Sequence, residues 1–263
     1  MRITFLGTGT SHGIPVLGCS CSVCSSADPR DTRWRSSALV EGDQGEVLLL
    51  DAGPEFRLQA LRACITRLDA VFITHTHADH VHGLDDIRPL SRKSALPVHA
   101  GRADCEELRA RFSYAFGGGQ EGGGKPRIGL SELGTLPVRV GGLRVQPVPL
   151  LHGERPVLGY RIGGLAYLTD CSAVPPASME LLAGLDLLVV DALRERPHPT
   201  HLSVGQALEL AARLSPGRLL LTHLCHDLSH AGLELRCASA GLPFPAGPAH
   251  DGLRVELPGR PAA

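Results

Sequence analysis

The stretch "FITHTHADHVHGLDD", residues 72–86, constrains this chain more than any other. His75, His77, Asp79 and His80 fall within six positions directly after an apolar run. Residues two apart in an extended chain point to the same side, so His75 and His77 can face one ion. The pattern then predicts a helix over residues 78–90, with Asp79 and His80 in its first turn. Adjacent residues there diverge in direction, which suits a second ion beside the first. Imidazoles with a carboxylate form a borderline-soft set, appropriate to Zn²⁺, Mn²⁺ or Fe²⁺ rather than Ca²⁺. A fold built around this stretch must deliver further ligands to the same place.

The rest of the chain offers them at regular intervals. Short apolar runs end in polar residues: "EVLLLD" at Asp51, "DAVFITH" at His75, "VQPVPLLH" at His152, "LAYLTD" at Asp170, "LDLLVVD" at Asp191 and "RLLLTH" at His223. Runs of this length, rich in Val, Ile and Leu, read as buried strands. Helical patterns cover residues 55–68, 103–112 and 203–214, the last opened by Ser203 as N-cap. Buried strands alternating with helices predict an α/β fold of sheets covered by helices. Ligand-type residues at the same end of successive strands gather along one sheet edge, where open α/β folds build their sites.

Bulk properties narrow the partners. The 263 residues are 43% hydrophobic and 20% charged, with a formal net charge of −1. One domain over residues 1–263 is expected, with no global field for nucleic acid or an anionic membrane. Arg30, Arg33 and Arg35 read as a solvated face rather than a phosphate site, the alternative for such a cluster. No run approaches the roughly 18 apolar residues of a membrane span. The opening "MRITFLGTGT" reads as a strand entering a glycine turn rather than a secretory signal, so the cytoplasm is the expected compartment. "GGGQEGGGKPR", residues 117–127, reads as a surface loop, either a lid or a tolerated insertion.

HxHxDH, followed by a strand-end His, a strand-end Asp and a last strand-end His, resembles the metallo-β-lactamase superfamily. "GTGTSHGIP", "LLLDAG", "HPTHLS" and "THLCHDLSH" resemble more narrowly its phosphoribosyl cyclic phosphate phosphodiesterase branch, which acts in phosphonate breakdown. The resemblance implies an αββα sandwich, two mixed sheets flanked by helices, with a two-metal site at one edge. It implies that His75, His77 and His152 hold one ion, that Asp79, His80 and His223 hold the other, and that Asp170 bridges them. His201 is implied as leaving-group acid or phosphate-binding group, with His198 the nearby competitor and Asp79 essential to turnover. Asp51 is either a carboxylate orienting the HxHxDH loop or a helix N-cap. His12 is either a rim residue or an exposed loop histidine. His82 points outward; Asp191 is given no committed part, and His99, His230 and His250 stand isolated. Two divalent ions about 3.5–4 Å apart acidify a shared water and clamp a phosphoryl centre. The expected function is therefore hydrolysis of a small phosphodiester, such as a cyclic ribose phosphate, by a two-metal-activated hydroxide. Lactone or thioester hydrolysis and RNA 3′-processing are the alternatives on the same fold, and the near-neutral charge speaks against nucleic acid.

"GCSCSVCSS", residues 18–26, places Cys19, Cys21 and Cys24 in a loop spanning about residues 18–30. In a reducing compartment such a cluster binds metal more often than it forms disulfides. A closed structural zinc site needs a fourth ligand, and Cys225 and His226 are the candidates; the resemblance implies His226. Cys64, Cys105, Cys171 and Cys237 read as core or helix residues. Three cofactor ions are thus expected, two catalytic (Zn or Mn) and one structural Zn. The protruding cysteine loop is suited to covering a partner subunit in a homodimer.

Overall fold

The computed structural model describes residues 1–117 and 124–258, so most of the glycine-rich stretch at 117–127 lies outside the described residues. In chain order the first sheet receives β1 (Arg2–Gly7), β2 (Ser37–Glu41), β3 (Val47–Leu50), β4 (Ala70–Phe72), β5 (Leu96–Gly101) and β6 (Ile128–Leu133). The second receives β7 (Val138–Val140), β8 (Leu143–His152), β9 (Arg155–Ile162), β10 (Leu165–Leu168), β11 (Leu187–Asp191), β12 (Leu219–Thr222) and β13 (Ala246–Pro248). The last strand, β14 (Arg254–Glu256), returns to the first sheet and pairs with β1. Strand orders are β14-β1-β2-β3-β4-β5-β6 and β13-β12-β11-β10-β9-β8-β7. Each sheet is mixed: β3 to β6 and β10 to β13 run parallel, and the remaining pairs are antiparallel.

The two-residue period of the strands sorts their side chains into layers. Leu48, Leu50, Ala70, Phe72, Leu187, Val189 and Leu220 meet in one core between the sheets. Their neighbours Leu49 and Val71 turn outward into a second core with Phe56, Leu84 and Leu108. Leu188, Val190, Leu219 and Leu221 turn outward on the other side, against Val204, Ala207, Leu208 and Ala211. Strands buried on both faces need uninterrupted apolar runs, which is what "VLLL", "LLVV" and "LLL" supply. Each wholly buried Leu among them contributes about 1.5–3 kcal/mol. The result is the helix–sheet–sheet–helix sandwich.

The helices are α1 (Phe56–Arg62), α2 (Ala78–Val81), α3 (Arg102–Arg111), α4 (Ser113–Phe116), α5 (Pro176–Glu180), α6 (Val204–Leu214) and α7 (His230–Ala238). Ser203 caps α6 in a capping box with Gln206. The helix expected over 55–68 ends early, because Cys64 takes a left-handed φ of +56° just past the C-cap Ala63. Cys64 is therefore exposed, unlike the buried Cys105, Cys171 and Cys237. The helix expected over 78–90 is split into α2 and a 3₁₀ stretch, Leu84–Ser91. Gly83 sits at the break, where an added Cβ would lie 2.1 Å from the Gly53 carbonyl oxygen. Arg33 corrects another expectation: far from lying on a solvated face, its side chain is wholly buried.

Candidate metal centre

The ligand-type residues lie at or just beyond strand ends, one to three residues later than the apolar runs suggest in some cases. Asp51 follows β3, Asp170 and His223 follow β10 and β12, and His152 closes β8. Asp51, Asp170 and His223 have φ of +61°, +51° and +57°. Left-handed backbone is uncommon outside glycine, with Asp and His among the tolerated types, and it turns the chain sharply at the sheet edge.

Two ligand sets result. One is His75, His77, His152 and Asp170; the other is Asp79, His80, Asp170 and His223, with the ligand atoms in each set within 4.8 Å of one another. Asp170 belongs to both: Oδ2 lies 3.7 Å from His75 Nε2, and Oδ1 lies 3.2 Å from His80 Nε2 and 2.8 Å from His223 Nδ1. Asp79 and His80 do not diverge as expected. They converge, Asp79 Oδ2 lying 3.2 Å from His80 Nε2, because the short α2 turns both into the same set.

Outer contacts fix the rings. His80 Nδ1 lies 2.8 Å from Asp51 Oδ2, and Asp51 also accepts the Thr74 N–H at 2.8 Å and the Thr74 hydroxyl at 2.9 Å. Asp51 thus orients the HxHxDH loop; the residue at the N-cap of α1 is Glu55. His152 Nδ1 donates to the Thr200 carbonyl at 2.7 Å, and Thr10 Oγ1 lies 3.1 Å from His223 Nε2. Such partners choose the tautomer and leave the opposite nitrogen with its lone pair facing the site. The hydroxyls and the Thr200 carbonyl left no pattern in the sequence, since each is distant or a backbone atom.

The residues fit a pair of cations. His75 Nε2 is buried with no hydrogen-bond partner among the described residues, and Asp79 Oδ2 and His80 Nε2, 3.2 Å apart, lack a well-aligned one; all three belong to the two sets. Orphaned buried groups carry a cost that a cation would remove. Burial pushes His75 well below the ordinary imidazole range and His152 down to about 4, so both stand neutral near pH 7 with a lone pair to offer. Burial also acts to lower His80, but Asp170, Asp79 and Asp51 outweigh it and hold this ring well above the usual value. A cluster of carboxylates that demands positive charge this strongly matches a site for divalent ions.

His201 stands over both sets. Its ring lies 4.7 Å from that of His152 and stacks 4.9 Å from that of His223, and the His198 ring lies 5.2 Å from its own. Its Nδ1 lies 2.8 Å from Oδ2 of the wholly buried Asp191. The sequence reading missed Asp191 as a site residue. The available signal was its place at a strand end, like Asp51 and Asp170. His12 and His82 are exposed. His99 is not isolated, stacking 4.7 Å from Phe72, and His230 lies 5.6 Å from His250; neither contact touches the two ligand sets.

A third set joins Cys19, Cys21, Cys24 and His226. His226 Nδ1 lies 3.3 Å from Cys19 Sγ and 3.6 Å from the Sγ of both Cys21 and Cys24. The Cys24 amide donates to Cys21 Sγ at 3.4 Å and draws that thiol down to about 6. Cys225 is buried outside the set, its sulfur accepting the Asp227 N–H at 3.3 Å.

The chain matches the family described as the β-lactamase superfamily domain over residues 47–224. It is 40% identical over 236 residues to a protein of Porphyromonas gingivalis named octanoyltransferase, covering 89% of this chain and 47% of that one. The chain thus spans about half the length of that relative. It is 41% identical to the crystal structure of a diphosphatase from the PhnP family, with a TM-score of 0.88 and 98% of each chain covered. The fold is also that of zinc-bound PqqB from Methylobacterium extorquens, at 21% identity, a TM-score of 0.79, and 98% and 100% coverage. With its sandwich, its strand-end His/Asp sets and these likenesses, the chain belongs to the β-lactamase superfamily, on its PhnP-like branch.

Proposed function

We propose that this chain hydrolyses a small phosphodiester, with a cyclic ribose phosphate the leading substrate and a diphosphate linkage the nearest variant. One observation carries the reading: two ligand sets share Asp170, and His201 lies within 5 Å of a ring from each. His75, His77, His152 and Asp170 would hold one divalent ion, and Asp79, His80, His223 and Asp170 the other, zinc or manganese in each case. When bound, such a pair supplies a water acidified toward neutral pH and Lewis-acid polarisation of the phosphoryl oxygens. Cys19, Cys21, Cys24 and His226 would hold one structural zinc.

The chain's own residues supply the rest. Asp191 takes the Nδ1 proton contact of His201 and so turns Nε2 toward the two sets. A proton on Nε2 can then pass to the leaving oxygen, with Asp191 holding the ring in that orientation. The diphosphatase likeness favours phosphoryl chemistry, and the net charge of −1 favours a small substrate over nucleic acid. A homodimer and a cytoplasmic setting are part of the same proposal. The eight cysteines, all free, suit a reducing compartment, and no described helix is long and apolar enough to cross a membrane.

Asp79→Asn is expected to abolish turnover of bis(p-nitrophenyl) phosphate while leaving the circular dichroism unchanged; an undiminished rate would sink the proposal. A second reading, thioester hydrolysis, keeps the same ligand sets and changes the substrate; what speaks for it is a relative named octanoyltransferase, of which the chain matches 47%. Octanoyl-thioester rates far above diester rates in the same metal-reconstituted preparation would reverse the ranking.

A further inference from the structure

The wholly buried Arg33 lies between the cysteine cluster and the His/Asp centre, and neither set uses it. Its guanidinium donates from Nη1 to the Cys225 carbonyl at 2.9 Å, and from Nη2 to the Leu228 carbonyl at 2.7 Å and to Asp31 Oδ1 at 3.1 Å. Those two carbonyls bracket His226. Asp31 Oδ1 also accepts the His230 N–H at 2.6 Å, at the start of α7. One ion pair therefore holds three backbone points of the segment 225–230. The same segment is tied at its other end to the catalytic edge: Leu224 N–H donates to the Thr8 carbonyl at 2.9 Å, and Thr10 N–H donates to the Leu224 carbonyl at 3.2 Å. His223 precedes Leu224 directly and carries the Thr10 contact on its ring. Arg33 is also anchored by its own backbone, paired in an isolated bridge with Ile14 on the segment that leads into the cysteine loop.

A buried arginine carries a desolvation cost that a surface brace would avoid, and its pairing with Asp31 is weak evidence for stability. Its planar fork is suited to fixing several acceptors in one geometry, which a lysine cannot do. We propose that Arg33 is a positioning residue that couples the two metal sites, transmitting the order of the Cys19-Cys21-Cys24-His226 set to His223 through the carbonyls of Cys225 and Leu228. Filling the cysteine set then raises the affinity of the His/Asp sets for their ions, and by linkage the reverse holds. The inference rests on the reading of both groups of residues as metal sites.

The test is a double-mutant cycle on the full chain, stripped of metal and titrated with cobalt(II) chloride. Thiolate-to-cobalt absorption in the near ultraviolet reports the cysteine set, and visible d–d bands with equilibrium dialysis report the His/Asp sets. In the wild-type background Cys21→Ser is expected to weaken cobalt binding at the His/Asp sets about tenfold, the low end of what loss of an outer contact costs a metal site. In an Asp31→Asn, Arg33→Met background, which removes the ion pair without stranding a charge, binding is already weakened by a similar factor, and Cys21→Ser adds nothing more. An equal effect of Cys21→Ser in both backgrounds, or none in the wild type, overturns the coupling. If the paired variant does not fold, Arg33→Lys carries the same cycle. A lysine reaches only some of the three acceptors, so the Cys21→Ser effect should shrink, and an unchanged effect overturns the proposal. A wild-type chain with no thiolate absorption overturns the metal reading itself, and the coupling with it.

Discussion

Nδ1 of His201 lies 2.8 Å from Oδ2 of Asp191, a carboxylate with no solvent exposure that also accepts the Cys171 N–H at 3.1 Å. The pair fixes which imidazole nitrogen faces the ligand sets. Proton transfer by a positioned side chain contributes roughly 10²–10⁴-fold. His201→Ala is therefore expected to lower kcat by at least about 100-fold on an alkyl phosphodiester and far less on a p-nitrophenyl ester, whose leaving group needs no proton. Asp191→Asn should move activity in the same direction, because the amide favours the wrong tautomer. Parallel kinetics on the two substrates decide the matter; equal losses on both speak against an acid role.

Asp51 is wholly buried and serves His80 and Thr74 at once. Asp51→Ala leaves His80 Nδ1 without its acceptor and loosens the turn that carries His75 and His77. Metal affinity at the His/Asp sets should fall about 10- to 100-fold, read by competition with a coloured chelator. Metal content and affinity equal to wild type would show that the contact does not orient the ring.

Gly53 and Gly83 let the Asp51 loop and the Asp79–His80 turn pack backbone against backbone. An added Cβ would lie 2.2 Å from the Asp79 carbonyl oxygen at Gly53 and 2.1 Å from the Gly53 carbonyl oxygen at Gly83. Neither obstacle is a flexible side-chain tip, so Gly83→Ala should cost roughly 3 kcal/mol of stability. Urea unfolding measures it, and a loss below about 0.5 kcal/mol would contradict the close approach.

Asp251 is pushed up to about 6 by burial, even though it accepts the Trp34 N–H at 2.7 Å and the Thr8 hydroxyl at 2.8 Å. An acid with a raised folded pKa holds its proton in the native state where the unfolded chain has already lost it. The penalty is absent below about pH 4, grows as pH rises, and is fully developed above about pH 6; over that window it amounts to about 3 kcal/mol. Relative to Asp251→Asn, wild-type stability should therefore fall by that order between pH 4 and pH 6. A constant difference across the window in urea unfolding would refute it.

Much of the centre was legible in one dimension. Apolar runs buried on both faces dictate central strands. HxHxDH has few explanations other than a cation, since charged and polar groups this dense in a core need one. The placement of His152, Asp170 and His223 at strand ends was readable for the same reason. The cysteine spacing likewise pointed to a set that lacked one member, and the fold brings His226 beside Cys19, Cys21 and Cys24. Tertiary structure alone decided the remainder, because the decisive contacts join residues that are remote in sequence or lie on the backbone. The choice of His226 over Cys225 follows from which one faces Cys19 across 207 positions. Asp191 gained its part only when β11 brought it under His201. Arg33 looked like a surface charge because sequence carries no record of solvent; the fold buried it between Asp31 and two carbonyls. Residue types set by local pattern determined the candidate ligands and the layers. Burial and long-range packing determined which neighbours orient them.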